Sequence, residues 1–245
     1  MSDRQPVLAI LLPPSEGKAP GGDGPAWMPA SGTFASLAPQ RMAIVRALTR
    51  AKGGDQKLLG VGGPHLERGR AANLALAKGA PTMTAAQRYT GVVYDHAGLA
   101  SLDATARARA AEAIVVLSGL LGVSGIDDPV PDYRLKMGAR LEPMGTLARW
   151  WKPKLSKALN EWLAGKVVVD LLPNDHSAAW TPAPARYAAH HRVTFVEANG
   201  SKAGVVVGHD AKAAKGLLVR HLLEAGGDPA EALSTFEHDR FALRF

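Results

Sequence analysis

The chain contains no cysteine, which excludes disulfides, thiolate metal sites and a cysteine nucleophile while remaining compatible with any compartment. Aromatic residues are sparse at 6%. No run approaches the roughly 18 consecutive apolar residues of a membrane span, and no basic, apolar, small-residue leader opens the sequence. We therefore expect a cytoplasmic protein with no membrane partner. Two familiar signatures are also missing from the opening stretch Leu11-Leu12-Pro13-Pro14-Ser15-Glu16-Gly17-Lys18. A Walker A loop would need glycine where Leu12 stands and a hydroxyl where Ala19 stands. Ser15-x-x-Lys18 lacks the S-D-N and K-T-G companions of penicillin-binding enzymes.

What is present is a globular composition. The 245 residues are 47% hydrophobic and 21% charged, enough to build a sizeable core, and without repeats or a linker the simplest reading is one domain over 1–245. Lys and Arg number 29 against 22 Asp and Glu, giving a net charge of +7 and a pI of about 9.8. That balance suits a polyanionic partner such as nucleic acid.

Val7 to Leu12 reads as a buried strand that ends at a double proline and delivers Ser15 and Lys18 into a loop, the place where α/β sheets hold ligands. Residues 19–32 read as a long loop. Helical patterns follow at 37–52, with Met42, Val45 and Leu48 inward and Arg41, Arg46 and Arg50 on a solvated basic face, and at 65–78. Ile114 to Leu117 and Val167 to Leu172 read as further strands, each preceded by a helix. The second of these helices, 147–164, is expected to kink or restart at Pro153. Val193 to Ala198 and Ala203 to Gly208 flank an Asn199-Gly200-Ser201 turn, a hairpin signal. The sum is an α/β (α+β) fold with a central mixed sheet flanked by helices.

Four segments offer chemistry. In the helix beginning at His209, Lys212, Lys215, Val219 and Leu222 share one face, so both lysines are read as inward, with Gly216 permitting close approach of a phosphate or carboxylate. Ser118, Gly119, Gly122 and Gly125 lie in a glycine-rich turn of the kind that presents amides to DNA phosphates, or in a plain strand-to-helix turn. Tyr133 and Arg134 place an aromatic beside a cation, able to stack a base and clamp a phosphate. Asp170, Asp175 and His176 follow a strand, and with no paired helical histidines and no cysteine we expect no metal site and no cofactor.

Taken together, "LLPPSEGK", "YTGVVYDHAGL", "LSGLLGV", "PDYRLKMG" and "HDAKAAKGLLVRHLLE" resemble, in order and spacing, the YaaA family of bacterial peroxide stress proteins over nearly the whole chain. The matching positions are Ser15, Lys18, Gly91, Tyr94, Ser118, Gly119, Gly122, Tyr133, Arg134, Met137, Gly138, Lys212, Lys215, Gly216 and Arg220. The resemblance implies a YaaA-like α/β fold with a helix-hairpin-helix-like element, binding to double-stranded DNA, and a role in limiting iron-driven damage under hydrogen peroxide. One stretch departs from it: Pro173 and His176 stand where the family has a serine and a tyrosine.

Three readings follow. In the first, a monomer binds double-stranded DNA without sequence specificity in peroxide defence, through the Leu120 to Gly125 turn and surface Lys and Arg. In the second, the chain is an enzyme for a nucleotide-like or other anionic small molecule. Lys18, Tyr133, Arg134, Lys212, Lys215 and Arg220 then hold the ligand, and Ser15, Lys18 or His176 handles protons. An iron- or partner-binding stress factor, resting on Asp175 and His176, is the third.

Overall fold

The computed structural model describes residues 7–198 and 208–245. Its centre is a five-stranded sheet of β1 (Leu8–Leu12), β2 (Ile114–Ser118), β3 (Gly122–Gly125), β4 (Val167–Asp170) and β5 (Ala189–Arg192). The strand order is β5-β4-β1-β2-β3. All neighbours are parallel except β2 and β3, which form an antiparallel pair. The runs LAILL, IVVLS and VVVD of β1, β2 and β4 are almost wholly buried, as parallel strands covered on both faces must be. The fold is thus α/β with a central mixed sheet flanked by helices. Its buried side chains form one continuous cluster.

The helices around the sheet include α1 (Ala38–Arg50), α2 (Gly63–Ala75), α3 (Val92–Ala97), α4 (Ala104–Ala113), α5 (Leu147–Trp162) and α6 (His209–Ala225). Pro153 lies inside α5 without ending it. Among the described residues no helix is long and apolar enough to cross a membrane.

Two local expectations are corrected. First, α1 buries Arg41, which is 1% exposed, and leaves Met42 37% exposed. The guanidinium donates to Leu121 O at 3.0 Å, Val123 O at 2.9 Å, Pro29 O at 2.9 Å and Ser31 O at 3.0 Å. It replaces water for four carbonyls, closing the 29–31 loop on the β2–β3 turn.

Second, the stretch from Ser118 to Gly125 is a buried β-hairpin and not a helix-hairpin-helix turn. Gly119 O accepts from Trp151 Nε1 at 2.9 Å, the Gly125 amide donates to Asp128 Oδ2 at 2.7 Å, and Ser118 pairs with Gly122. These groups are spent inside the protein, so none is turned to a solvent-borne phosphate. Gly122 is required there: its φ is 70°, and a Cβ would lie 2.7 Å from the Trp151 ring.

The strand expected at 193–198 appears as Thr194–Glu197 and pairs antiparallel with Phe241–Arg244. The turn at 199–201 and most of its expected second strand, 203–207, lie outside the described residues.

Candidate active site

The connection from β1 runs to β2 on one side of the sheet, and the chain later adds β4 on the other side of β1. Strand connections therefore diverge at β1, and the carboxyl ends beside that point are where open α/β sheets hold ligands. The PPSEGK segment leaves β1 there. Leu11 is in register with Asp170, and the Leu171 amide donates to Leu11 O at 3.1 Å, so the Ser15–Lys18 loop and the Asp170–His176 turn leave the sheet side by side.

Lys18 is positioned by a two-residue strand. Gly17 and Lys18 pair antiparallel with Thr90 and Tyr89, and the Ser15 hydroxyl donates to Thr90 O. Ser15 is thereby committed to holding the loop in shape. Its neighbour Gly91 has φ 133°, and a Cβ there would lie 2.6 Å from Ser15 Oγ. The Lys18 ammonium donates to Ser15 O at 2.9 Å and stands 4.4 Å from the Tyr133 ring centroid and 5.6 Å from that of Tyr89. Such cation–π contacts favour the charged form by about 0.5–2 kcal/mol. Burial works against it and pushes the Lys18 pKa down to about 8, with the Asp132 carboxylate opposing the shift.

Beneath Lys18 lies a buried phenol pair. Tyr133 and Tyr89 hydroxyls are 2.9 Å apart, Ser118 lies beside both, and the Tyr94 hydroxyl donates to Pro13 O at 2.8 Å. Burial pushes Tyr133 up to about 12 and the other two well above the usual phenol range, so all three stay neutral at physiological pH.

These groups open onto a pocket of about 270 Å³ that Glu16, Lys18, Thr90, Asp132, Tyr133 and Arg134 line from the loops. His65, Arg68, Gly69 and Ala72 line it from α2, at helical spacing on one face. Arg68 donates to Lys18 O at 2.9 Å and pairs with Asp132 at 3.1 Å. Arg134 is held by Nε–H donation to Leu59 O at 3.1 Å, and its backbone amide donates to Asn73 Oδ1 at 2.9 Å. Glu16 accepts from Lys136 at 3.0 Å and Arg134 at 3.3 Å, and these contacts, Lys136 first, hold its carboxyl below the usual range against a smaller opposing effect of burial. Among the described residues Lys18 makes no ion pair.

Lys18, Tyr133 and Arg134 thus converge as the sequence suggests, while the other named residues lie elsewhere. Lys215 docks on Leu171 O at 2.9 Å beside Asp170, and burial lowers its pKa. Lys212, one turn earlier, is exposed. Gly216 serves helix packing instead of an anion: a Cβ there would lie 2.4 Å from Val93 O and 2.6 Å from His96 Cβ. Arg220 ties α6 to Ser101 at 2.9 Å and pairs with Glu224 one turn on in the same helix at 2.7 Å. His176 lies in the turn after β4 with both ring nitrogens buried and unpartnered among the described residues, and burial pushes its pKa down to about 4. Among the described residues no three His, Asp or Glu side chains gather as a metal site would require.

His65, Arg68 and Asp132 are pocket residues that pattern reading missed. The α2 sequence has no apolar stripe, burying only Gly69 and Asn73, so its pocket face carries no periodic signal.

The fold and the site define an α/β protein with a small basic pocket at the carboxyl edge of its sheet. A family model described as "Peroxide stress protein YaaA" matches residues 8–244, so the chain belongs to that family. It is 37% identical over 227 residues to a UPF0246 protein of Streptomyces coelicolor, covering 91% of this chain and 85% of that protein. It is 33% identical over 224 residues to a UPF0246 protein of Corynebacterium glutamicum, covering 88% and 84% respectively.

Proposed function

We propose that the chain binds and acts on a small anionic metabolite, nucleotide-like or otherwise phosphorylated or carboxylated, in the Lys18 pocket. One observation carries the reading: an enclosed ammonium without an ion-pair partner among the described residues lines a pocket shared with Arg68, Arg134 and His65. Burying a lysine is costly unless something compensates the charge, and here a ligand anion would do so. The volume of about 270 Å³ lies near the small end of the ~300–1,000 Å³ typical of metabolite sites and suits a compact ligand. Lys18, with a pKa near 8, is suited to moving a proton at neutral pH. Ser15 is occupied with Thr90 and contributes shape more than chemistry.

A thermal-shift screen of nucleotides, phosphorylated acids and carboxylates tests this. A ligand at 100 times its Kd adds about 2.7 kcal/mol of stability. Wild type should be stabilised by at least one such compound and Lys18→Ala by none. A screen in which every compound that shifts wild type shifts Lys18→Ala equally would overturn the reading.

The net charge of +7 favours a second reading, in which surface Lys and Arg such as Arg46 and Arg50 hold double-stranded DNA without reading its sequence. The family description then supplies the setting, peroxide stress. Anisotropy with an arbitrary fluorescent duplex from about 50 to 200 mM salt tests it, since several phosphate contacts lose orders of magnitude in affinity over that range. Absence of binding at the low-salt end removes it.

A further inference from the structure

Glu16 lines the Lys18 pocket with a side chain that is 68% exposed, and its carboxylate rests between Lys136 Nζ at 3.0 Å and Arg134 Nη2 at 3.3 Å. Neither cation makes another ion pair among the described residues. Arg134 does not need Glu16 to hold its direction. Its Nε–H is fixed on Leu59 O, and Gly69 lets α2 close on its arm, since a Cβ at Gly69 would meet Arg134 Cβ at 3.3 Å. Lys136 passes similarly close to Gly60, where a Cβ would stand 3.3 Å from its Nζ. The two cations therefore form a fork fitted to the oxygens of a carboxylate or phosphate. An exposed carboxylate on a flexible side chain fills it, and such pairs are weakly held.

We infer that Arg134 and Lys136 form a second anion subsite beside Lys18, that Glu16 occupies it in the free protein, and that the ligand carries two separated acidic groups, one of which displaces Glu16. The inference rests on the reading that the Lys18 pocket binds an anion. The charges support it. Asp132 is taken by Arg68, so once Glu16 swings away Arg134 on the pocket wall and Lys136, which Glu16 ties to it, are left without an ion-pair partner among the described residues, as Lys18 already is. A ligand with a single acidic group at Lys18 would leave Glu16 in place. A ligand with a phosphate and a carboxylate, or two phosphates, would use all three. Glu16 then acts as a specificity device, because a monoanion cannot compensate the loss of its contacts.

Calorimetric titration with two probes tests this: 3-phosphoglycerate, with a phosphate and a carboxylate at opposite ends, and glycerol 3-phosphate, which lacks the carboxylate. Wild type should favour the diacid. Glu16→Gln, a near-isosteric change at an exposed position, should tighten the diacid about fivefold or more, and by more than the monoacid, since the diacid no longer competes with the carboxylate. Lys136→Ala should erase the preference for the diacid, and Glu16→Gln should then add little. If the ratio of the two affinities is unchanged in Glu16→Gln and Lys136→Ala while Lys18→Ala weakens both probes, the second subsite is wrong and the pocket reading stands. If Lys18→Ala binds both probes as wild type does, or wild type itself binds neither, the pocket reading falls and the subsite with it.

Discussion

Raising the pH through 8 should release an anion from the Lys18 pocket, because its ammonium is the charge that burial makes easiest to lose. Lysine holds anions only while protonated. Burial lowers its pKa from 10.5 to about 8, so the attraction is complete well below pH 8 and is lost above it. Sulfate is a suitable probe, since it stays a dianion between pH 6 and 10. With a pKa near 8, about one Lys18 in eleven remains charged at pH 9, and affinity should fall about tenfold from its value at pH 6 and about a hundredfold by pH 10. Tyr133, pushed up to about 12, stays neutral over this range and does not contribute to the fall. An ordinary exposed lysine would delay the loss to about pH 10.4, so the midpoint identifies the group. Lys18→Arg, which keeps its charge throughout, should give a flat profile, and Lys18→Ala should bind weakly at every pH. Calorimetry or competition binding reads all three. A wild-type affinity that is constant from pH 6 to 10, or a Lys18→Arg variant with the same decline, would refute the reasoning.

The remaining predictions concern the scaffold. Gly122→Val forces a β-branched residue into left-handed φ and against the Trp151 ring, costing about 1–2 kcal/mol for the backbone and about 1–3 more for overpacking. At about 2–4 °C per kcal/mol for a chain of this size, Tm should fall by roughly 4–20 °C, and an unchanged Tm would argue against the buried hairpin. Arg41→Met leaves the Val123 carbonyl buried without a donor and Leu121 O with the Val123 amide alone, and at about 1–3 kcal/mol for an unsatisfied buried group, denaturant titration should show a loss of roughly 1–3 kcal/mol. A loss below 1 kcal/mol would show that water reaches those carbonyls. His176 takes a proton at about 6.5 when unfolded and at about 4 when folded, so the unfolded state binds more protons between those values. Wild-type stability should therefore drop by up to about 3 kcal/mol as pH falls from 7 to 4. His176→Leu should lose less over that window, and an identical pH profile in the two proteins would remove the buried neutral imidazole.

Much of this architecture is legible in the residues. Val7 to Leu12, Ile114 to Leu117 and Val167 to Leu172 announce their strands because fully buried parallel strands need continuous apolar runs, and the observed bounds differ by at most two residues. The position of Lys18 just past a strand end is legible for the same reason. Orientation on polar helices is less so. Arg41 occupies a position that periodicity gives to solvent, because four loop carbonyls from distant sequence need a donor there. Lys212 extends an apolar stripe in the sequence, yet the buried face of α6 runs through Ala211, Ala214 and Leu218, so Lys215 at its edge is half-buried and Lys212 is exposed. The glycines from 119 to 125 reveal a tight turn but not what it packs on, since Trp151 comes from a helix distant in sequence. The α2 face of the pocket has no sequence signature: His65, Arg68, Gly69 and Ala72 acquire meaning only when Arg134 and Lys18 arrive beside them.

The measurement that bears most directly on the pocket is a paired titration of wild type and Lys18→Ala with 3-phosphoglycerate and with an arbitrary fluorescent duplex at about 50 mM salt, near the lower end of the range where phosphate contacts are strongest. Lys18→Ala should lose the small anion while its duplex binding, if wild type has any, changes little, because one phosphate contact contributes only about 0.9 to the salt slope. A Lys18→Ala variant that binds the small anion as tightly as wild type would contradict the account.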